Sequence, residues 1–282
     1  MTRLSNDTFL KTMIDLADDA GKIAMEYLEK SKPSYKKDQS IVTLADKAIS
    51  KLVGKRLAPF LSNKNHLLIE EEDPNVSKTF DKDILNRAEY IWSVDPIDGT
   101  RNYANQMPNF GISIGLMKDL KPVLGVVYFP FWKELFYCDG KKAFYVKNAF
   151  TKQEIRRQIK PIHKPIDNRT YFLATDTFFK HFDWDHKDCR LMIQSAAVIE
   201  LLWPAIGRGC AGLIKCSLWD LAGSWPILRA AGMELRALST GKVLDWIDLS
   251  AFDPRIPWRL NDFYVISDQK NFLELKKKIR KK

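Results

Sequence analysis

Residues 92–103 read Trp92-Ser93-Val94-Asp95-Pro96-Ile97-Asp98-Gly99-Thr100-Arg101-Asn102-Tyr103, or WSVDPIDGTRNY. An apolar run stops at two carboxylates set three residues apart around a proline, and a Gly-Thr step follows at once. Read locally, this is a short buried strand that ends in Asp-Pro and Asp-Gly turns. Read as chemistry, the acids are hard oxygen ligands at a strand end. The Gly-Thr step lets an anion approach free backbone N–H groups closely.

Working outward, residues 7–30 place Phe9, Met13, Leu16, Ala20, Ile23, Ala24, Tyr27 and Leu28 at helical spacing, with Pro33 just beyond. Thr43 opens a second helical pattern through Ala45, Ile49, Leu52, Val53 and Leu57. A short apolar run at 66–69 (HLLI) meets Glu70-Glu71-Glu72-Asp73. Residues 110–147 read as an antiparallel meander, with FGISIGLM, PVLGVVYF, ELFYC and AFYVK separated by KDLK, PFWK and DGKK turns. The polar stretch after about residue 150, TKQEIRRQIKPIHKPIDNRT, is the candidate boundary. It divides the chain into an N-terminal α+β part (1–150) and a C-terminal α/β part (151–282). In the second part the pattern predicts a strand at YFLAT, a loop rich in Phe, His and Asp at 176–188, and a helix over about 190–206. A short strand (AGLIK) and a helix opening at Asp220 (DLAGSWPILRAAG) follow. Strands near MELRAL and FYVISD and a basic C-terminal helix finish the chain. The order predicts two layered α/β parts packed together.

Composition fits a soluble globular chain: 282 residues, 45% hydrophobic and 28% charged. No apolar run reaches the length of a membrane span, and acids interrupt the apolar pattern of the N-terminus, which argues against a signal peptide. The four cysteines show no framework spacing, so a reduced, cytoplasmic protein is expected. The net charge of +10 suits an anionic partner. Much of the excess sits in the tail LKKKIRKK and in KSKPSYKKD (30–38), where a solvated surface is the plainer reading; no nucleic-acid-binding motif accompanies it.

Three acidic clusters each fall at a strand end or a helix start: Glu70-Glu71-Glu72, Asp95 with Asp98, and Asp220. Taken singly they are a solvated turn, a strand end and a helix cap. If they converge, their repulsion demands cations, and all-oxygen ligands select Mg²⁺, with Mn²⁺ as the alternative. No histidine lies in them, which argues against zinc. Metals beside an anion cradle, without a Ser–His or Cys nucleophile, spell metal-assisted hydrolysis of a phosphate ester.

DPIDGTRNY resembles the DPxDGTxNF motif of the inositol monophosphatase family. LWDLAGSWPILRAAG resembles that family's WDxAAGxxILxEAGG segment, LLIEEED its strand followed by Glu-Glu, and VTLAD (42–46) its VTxAD segment. The four matches occur in the family's order with near-family spacing. The resemblance implies a five-layer αβαβα sandwich, of the inositol monophosphatase and fructose-1,6-bisphosphatase type. It also implies Mg²⁺-dependent, lithium-sensitive hydrolysis of a phosphomonoester by a metal-activated water, and commonly a homodimer. By motif position, Glu71, Asp95 and the carbonyl of Ile97 would hold one Mg²⁺. Asp95, Asp98 and Asp220 would hold a second, and a weaker third would rest on Glu71. Thr100 and Asp46 would activate the water, with Glu71 part of the catalytic set. The backbone of Gly99 and Thr100 would hold the phosphate.

This sequence departs from the family in places. Three glutamates stand where two are usual, so the ligand is Glu71 or, with a one-residue shift, Glu70. The family's Gly-Thr-Ala substrate segment corresponds to Gln194-Ser195-Ala196, which makes Ser195 and Ala196 substrate-side residues together with Asp220. The glutamate that binds sugar hydroxyls is replaced by Leu213, with Lys215 nearby. A missing carboxylate beside a lysine leans toward a substrate with a second negative charge. The first expectation is a small inositol-phosphate or sugar-phosphate monoester. The alternatives are a 3′(2′),5′-bisphosphate nucleotide, fructose 1,6-bisphosphate or histidinol phosphate. A non-enzymatic alternative is an RNA- or transcription-complex-binding protein on a phosphatase scaffold.

Overall fold

A computed structural model describes residues 5–30, 34–35, 41–187 and 189–282. Pro33, most of the basic stretch at 30–38 and Asp188 lie outside the described residues. In chain order the N-terminal elements are α1 (Asn6–Tyr27), a two-stranded ribbon of β1 (Ser34–Tyr35) and β2 (Ile41–Val42), α2 (Leu44–Leu61), β3 (His66–Glu70), α3 (Lys82–Arg87), β4 (Tyr90–Asp98) and α4 (Thr100–Ala104). The meander follows as β5 (Gly111–Lys118), β6 (Lys121–Phe129), β7 (Glu134–Cys138), β8 (Ala143–Lys147) and β9 (Ile155–Ile159). Then come β10 (Tyr171–Ala174), α5 (Phe178–His181), β11 (Phe182–Asp183), β12 (Arg190–Met192), α6 (Ala197–Ala205), β13 (Ala211–Ile214), α7 (Leu218–Ala222), α8 (Ser224–Ala230), β14 (Glu234–Ala237), β15 (Tyr264–Ser267), α9 (Gln269–Lys278) and β16 (Arg280–Lys281).

Two sheets carry the fold. The first is seven-stranded in the order β3-β4-β5-β6-β7-β8-β9, parallel at β3/β4 and antiparallel beyond. The second is five-stranded in the order β12-β10-β13-β15-β14. One face of the large sheet, with Trp92, Val94, Ile112, Ile114 and Leu124, packs on the apolar stripes of α1 and α2. Its other face joins α6, α7 and α8 in a core shared with Ile214, Leu235 and Ile266 of the small sheet. The far side of the small sheet buries Phe172, Leu213 and Val265 against Phe178 of α5 and Phe272 and Leu275 of α9. The layers therefore run helix, sheet, helix, sheet, helix: a five-layer αβαβα sandwich, as expected.

Several local readings need correction. The polar stretch after 150 contains β9, which extends the large sheet to Ile159. Four of its five residues are exposed, so no burial alternation marks this edge strand. The apolar run at 190–206 is not one helix: β12 pairs in parallel with β10, and α6 begins only at Ala197. The helix expected to open at Asp220 opens at Leu218. Ser217 caps it, and Asp220 sits at the third helical position in a capping box. Among the described residues no disulfide is present and all four cysteines are buried. No described helix is long and apolar enough to cross a membrane.

Candidate active site

The site forms where both parallel strands of the large sheet end. Glu70 pairs with Val94, and the Glu71 N–H donates to the Val94 carbonyl at 3.3 Å, so Glu71 lies beside the end of β4. The β4/β5 register shifts between Asp95 and Asp98. This irregularity keeps both acids at the strand's end. Asp95 Oδ1 accepts the N–H of Ile97 at 2.9 Å.

Asp220 arrives from across the interlayer core. It can do so because α7 and α8 lie almost on the sheet. A Cβ on Gly115 would fall 2.5 Å from the Ala222 backbone, and one on Gly125 would overlap the Gly223 carbonyl. Ser113 completes the seam: its hydroxyl donates to the Trp219 carbonyl at 2.9 Å and accepts the Gly223 N–H at 3.2 Å.

Glu71, Asp95 and Asp220 consequently each offer an oxygen within 4.8 Å of the others. Glu70 points elsewhere, its carboxylate accepting from Ser50 of α2 at 3.1 Å. Successive residues of a strand face opposite ways, and this separates the two glutamates that the sequence left as alternatives. Asp98 is buried, with Oδ1 accepting the Ala197 N–H at 3.2 Å and Oδ2 the Val198 N–H at 2.9 Å, at the start of α6.

The electrostatics are those of a site built for cations. Burial, then the charges of Glu71, Asp220 and Asp98, hold the Asp95 carboxyl well above the usual carboxylate range. Burial and Asp220 push Asp98 up to about 8 against the pull of its N–H donors. Burial likewise raises Asp220, opposed by its hydrogen bond with Asp95 and by the Ser217 N–H. Such acids ionise together only when positive charge joins them, and an all-carboxylate set fits a hard divalent ion.

The Gly99-Thr100 step follows Asp98 directly. Gly99 has φ +86, and a Cβ there would fall 2.7 Å from the Asn109 carbonyl and 3.0 Å from Ala196. Only glycine suits that position. The Thr100 hydroxyl donates to the Ile97 carbonyl at 2.9 Å, which leaves its lone pairs to accept. Asp46 is buried in the first turn of α2. Its carboxylate accepts from the Thr43 hydroxyl at 2.5 Å and the Thr43 N–H at 2.8 Å. Asp46 is outside the group of three converging acids.

A cleft of about 370 Å³ opens beside Asp98 and Asp220. It is lined by the expected Ser195, Ala196 and Lys215. Sequence reasoning missed several liners, among them Glu200, Arg101, Cys216 and Arg259. Glu200 accepts the Gln194 N–H at 3.2 Å, and burial, then Asp98, push its carboxyl far up. Asn102 was missed too; it donates to the Asn109 and Gln194 carbonyls at 2.7 and 2.8 Å and so ties α4 to the 194–196 loop. Of the 176–188 loop, Asp176 and Thr177 reach this cleft, whereas Asp183 and His186 line a separate open hollow.

The sequence model of the inositol monophosphatase family matches residues 5–270. The chain belongs to the inositol monophosphatase family. Membership makes it a phosphoric monoester hydrolase. Its curated relatives include the 3′(2′),5′-bisphosphate nucleotidase CysQ of Salmonella typhimurium, 28% identical over 86% of this chain and 96% of that protein. They also include inositol monophosphatase 1 of Solanum lycopersicum, 29% identical over 81% and 84% of the two chains. Among solved structures, a staphylococcal inositol monophosphatase-1 soaked in LiCl superposes with a TM-score of 0.76 over 99% of each chain at 18% identity. A Thermotoga maritima IMPase gives 0.73 over 96% of each at 21%. At these identities the superpositions speak for the fold.

Proposed function

We propose that this family member hydrolyses a small phosphomonoester of the inositol-phosphate or sugar-phosphate type, using Mg²⁺ and a water nucleophile. The observation that carries the reading is the convergence of Glu71, Asp95 and Asp220 oxygens within 4.8 Å of one another. These residues, with Asp98 and the Ile97 carbonyl, would hold two ions, and Glu71 would help hold a third. When bound, Mg²⁺ supplies positive charge against the phosphate oxygens and lowers the pKa of a water. Thr100 and Asp46 would orient that water and accept its proton. The backbone of Gly99 and Thr100 would hold the phosphate, with Ser195 and Ala196 beside the rest of the substrate. Cys216 is the one thiol lining the cleft among the described residues, and burial and Asp220 keep it protonated. It is a poor nucleophile in that state, which favours water over a covalent intermediate.

A second reading, a bisphosphate substrate, is favoured by Leu213. It is fully buried in β13, at the position where the resemblance expects a hydroxyl-binding glutamate. Lithium inhibition, replacement of Mg²⁺ by Mn²⁺, homodimer formation and a cytoplasmic location belong to the same proposal. Phosphate release from a panel of sugar, inositol, nucleoside and amino-alcohol phosphates tests it, with Mg²⁺, with chelator and with added Li⁺. Expected is turnover that chelation abolishes and Mg²⁺ restores. Full activity in chelator would overturn the metal-dependent reading.

A further inference from the structure

We propose that Lys215 and Arg259 form a second anion subsite in the cleft beside Asp98 and Asp220, selecting phosphomonoesters that carry another phosphate group. The inference rests on the phosphatase reading for the position of the reacting phosphate. Lys215 directly follows the last residue of β13, and its ammonium lies 5.3 Å from the centroid of the Phe263 ring. Arg259 is set by the backbone rather than by a partner: it bridges to Ser217, and its buried neighbour Trp258 accepts the Leu218 N–H at 2.9 Å. Both cations are half-buried and line the same cleft.

Their isolation distinguishes them. Arg101, the third cation of the cleft, is bound to Asp176 at 3.0 Å. Asp253, the acid nearest Lys215 in effect, already holds Arg255 at 2.8 Å. Among the described residues neither Lys215 nor Arg259 makes a salt bridge. Once a divalent ion neutralises Asp98 and Asp220, two positive charges outside the salt bridges of the described residues remain inside a partly desolvated cleft. A pair of cations lining the same cleft as Asp98 and Asp220 is a recognition element for a second phosphate.

The test pairs esters that share the reacting phosphate: adenosine 3′,5′-bisphosphate with adenosine 3′-monophosphate, and fructose 1,6-bisphosphate with fructose 1-phosphate. The wild type should favour the bisphosphate of at least one pair by about tenfold or more in kcat/KM. In Lys215→Met/Arg259→Met that ratio should fall to near one, mainly through the KM of the bisphosphate, while Arg259→Lys retains part of it. A ratio near one in the wild type, or one that survives in the double variant, overturns the subsite while hydrolysis itself leaves the phosphatase reading standing. If none of these four esters is hydrolysed, equilibrium binding of the same ligands with Ca²⁺ decides the subsite. Tighter binding of the bisphosphate that the double variant loses supports it, and equal binding overturns it.

Discussion

Asp95, near the end of β4, and Asp220, in the first turn of α7, bring carboxylate oxygens within 4.8 Å of each other. Two buried acids this close repel each other when both are ionised, and a cation between them would remove that repulsion. Replacing Asp95 by Asn keeps the shape but removes one charge from the cluster. Turnover should fall on the order of 10³-fold, the scale seen when a preorganised electrostatic group is lost. The unfolding midpoint without metal should stay at or above that of the wild type, while its rise with Mg²⁺ should largely vanish. Wild-type turnover in Asp95→Asn would remove Asp95 from the reaction.

The same acids make metal binding a proton-release event. Burial and Asp220 push Asp98 up to about 8 without metal, and burial with the neighbouring acids raises Asp95 as well, so the cluster binds protons near pH 7. A divalent ion must displace them. Apparent Mg²⁺ affinity should therefore climb with pH until about pH 8 and flatten beyond. The stability sign follows from the same shift. A carboxyl raised from about 3.9 in the unfolded chain contributes stability that is full below that value. That contribution is lost as pH rises through the folded value, so Mg²⁺ should raise the unfolding midpoint most at alkaline pH. Calorimetric Mg²⁺ titrations at pH 7 in two buffers of different ionisation enthalpy read the protons directly. No net release would contradict the buried-cluster account.

Much of this site was readable because its parts are local. The Asp95–Thr100 run, the helix opening after Thr43 and the meander each follow from spacing a few residues long. What was missed depends on distant pairing. Arg259 sits alone in an irregular segment and matters only because Ser217 bridges to it. Glu200 lies on an apolar helix where nothing marks a cleft-facing acid. β9, with Arg156 and Arg157 at its centre, lacks a hydrophobic alternation because it edges the sheet. The Glu70/Glu71 choice was open to strand alternation, had the end of β3 been fixed.

Two glycines should respond in opposite directions. Gly115 lets α7 approach the sheet, and a methyl group there meets the Ala222 backbone at 2.5 Å. Gly115→Ala should cost about 1–3 kcal/mol by overpacking and, by pushing Asp220 off the cluster, weaken Mg²⁺ binding. Gly54 is exposed in the interior of α2 and has nothing within 4 Å of its would-be Cβ. Gly54→Ala should stabilise by about 0.5–1 kcal/mol through helix propensity. Denaturant melts of both, with Mg²⁺ titrations of the first, check the contrast. A stabilised Gly115→Ala would mean that the α7 seam is looser than its geometry states.

The far end of α6 is fixed by charge rather than by apolar packing alone. Arg208, just beyond it, donates to Glu134 at the start of β7 at 2.7 and 2.5 Å, and the Tyr145 hydroxyl donates to the same carboxylate at 2.5 Å. The guanidinium also lies over Tyr145 and Trp203, 5.8 and 5.3 Å from the ring centroids. Arg208→Met would strand a buried carboxylate, so it should cost about 3–5 kcal/mol. Adding Glu134→Gln should recover most of that, because the uncompensated charge rather than the lost contact dominates. The N-terminal turn of α6 holds Asp98, so an unanchored α6 should also lower Mg²⁺ affinity, and the double variant should restore it together with stability. A double-mutant cycle with urea melts and Mg²⁺ titrations tests both parts. Additive losses in stability would show that the pair is not coupled. Unchanged Mg²⁺ affinity in Arg208→Met would show that α6 is held well enough by the interlayer core alone.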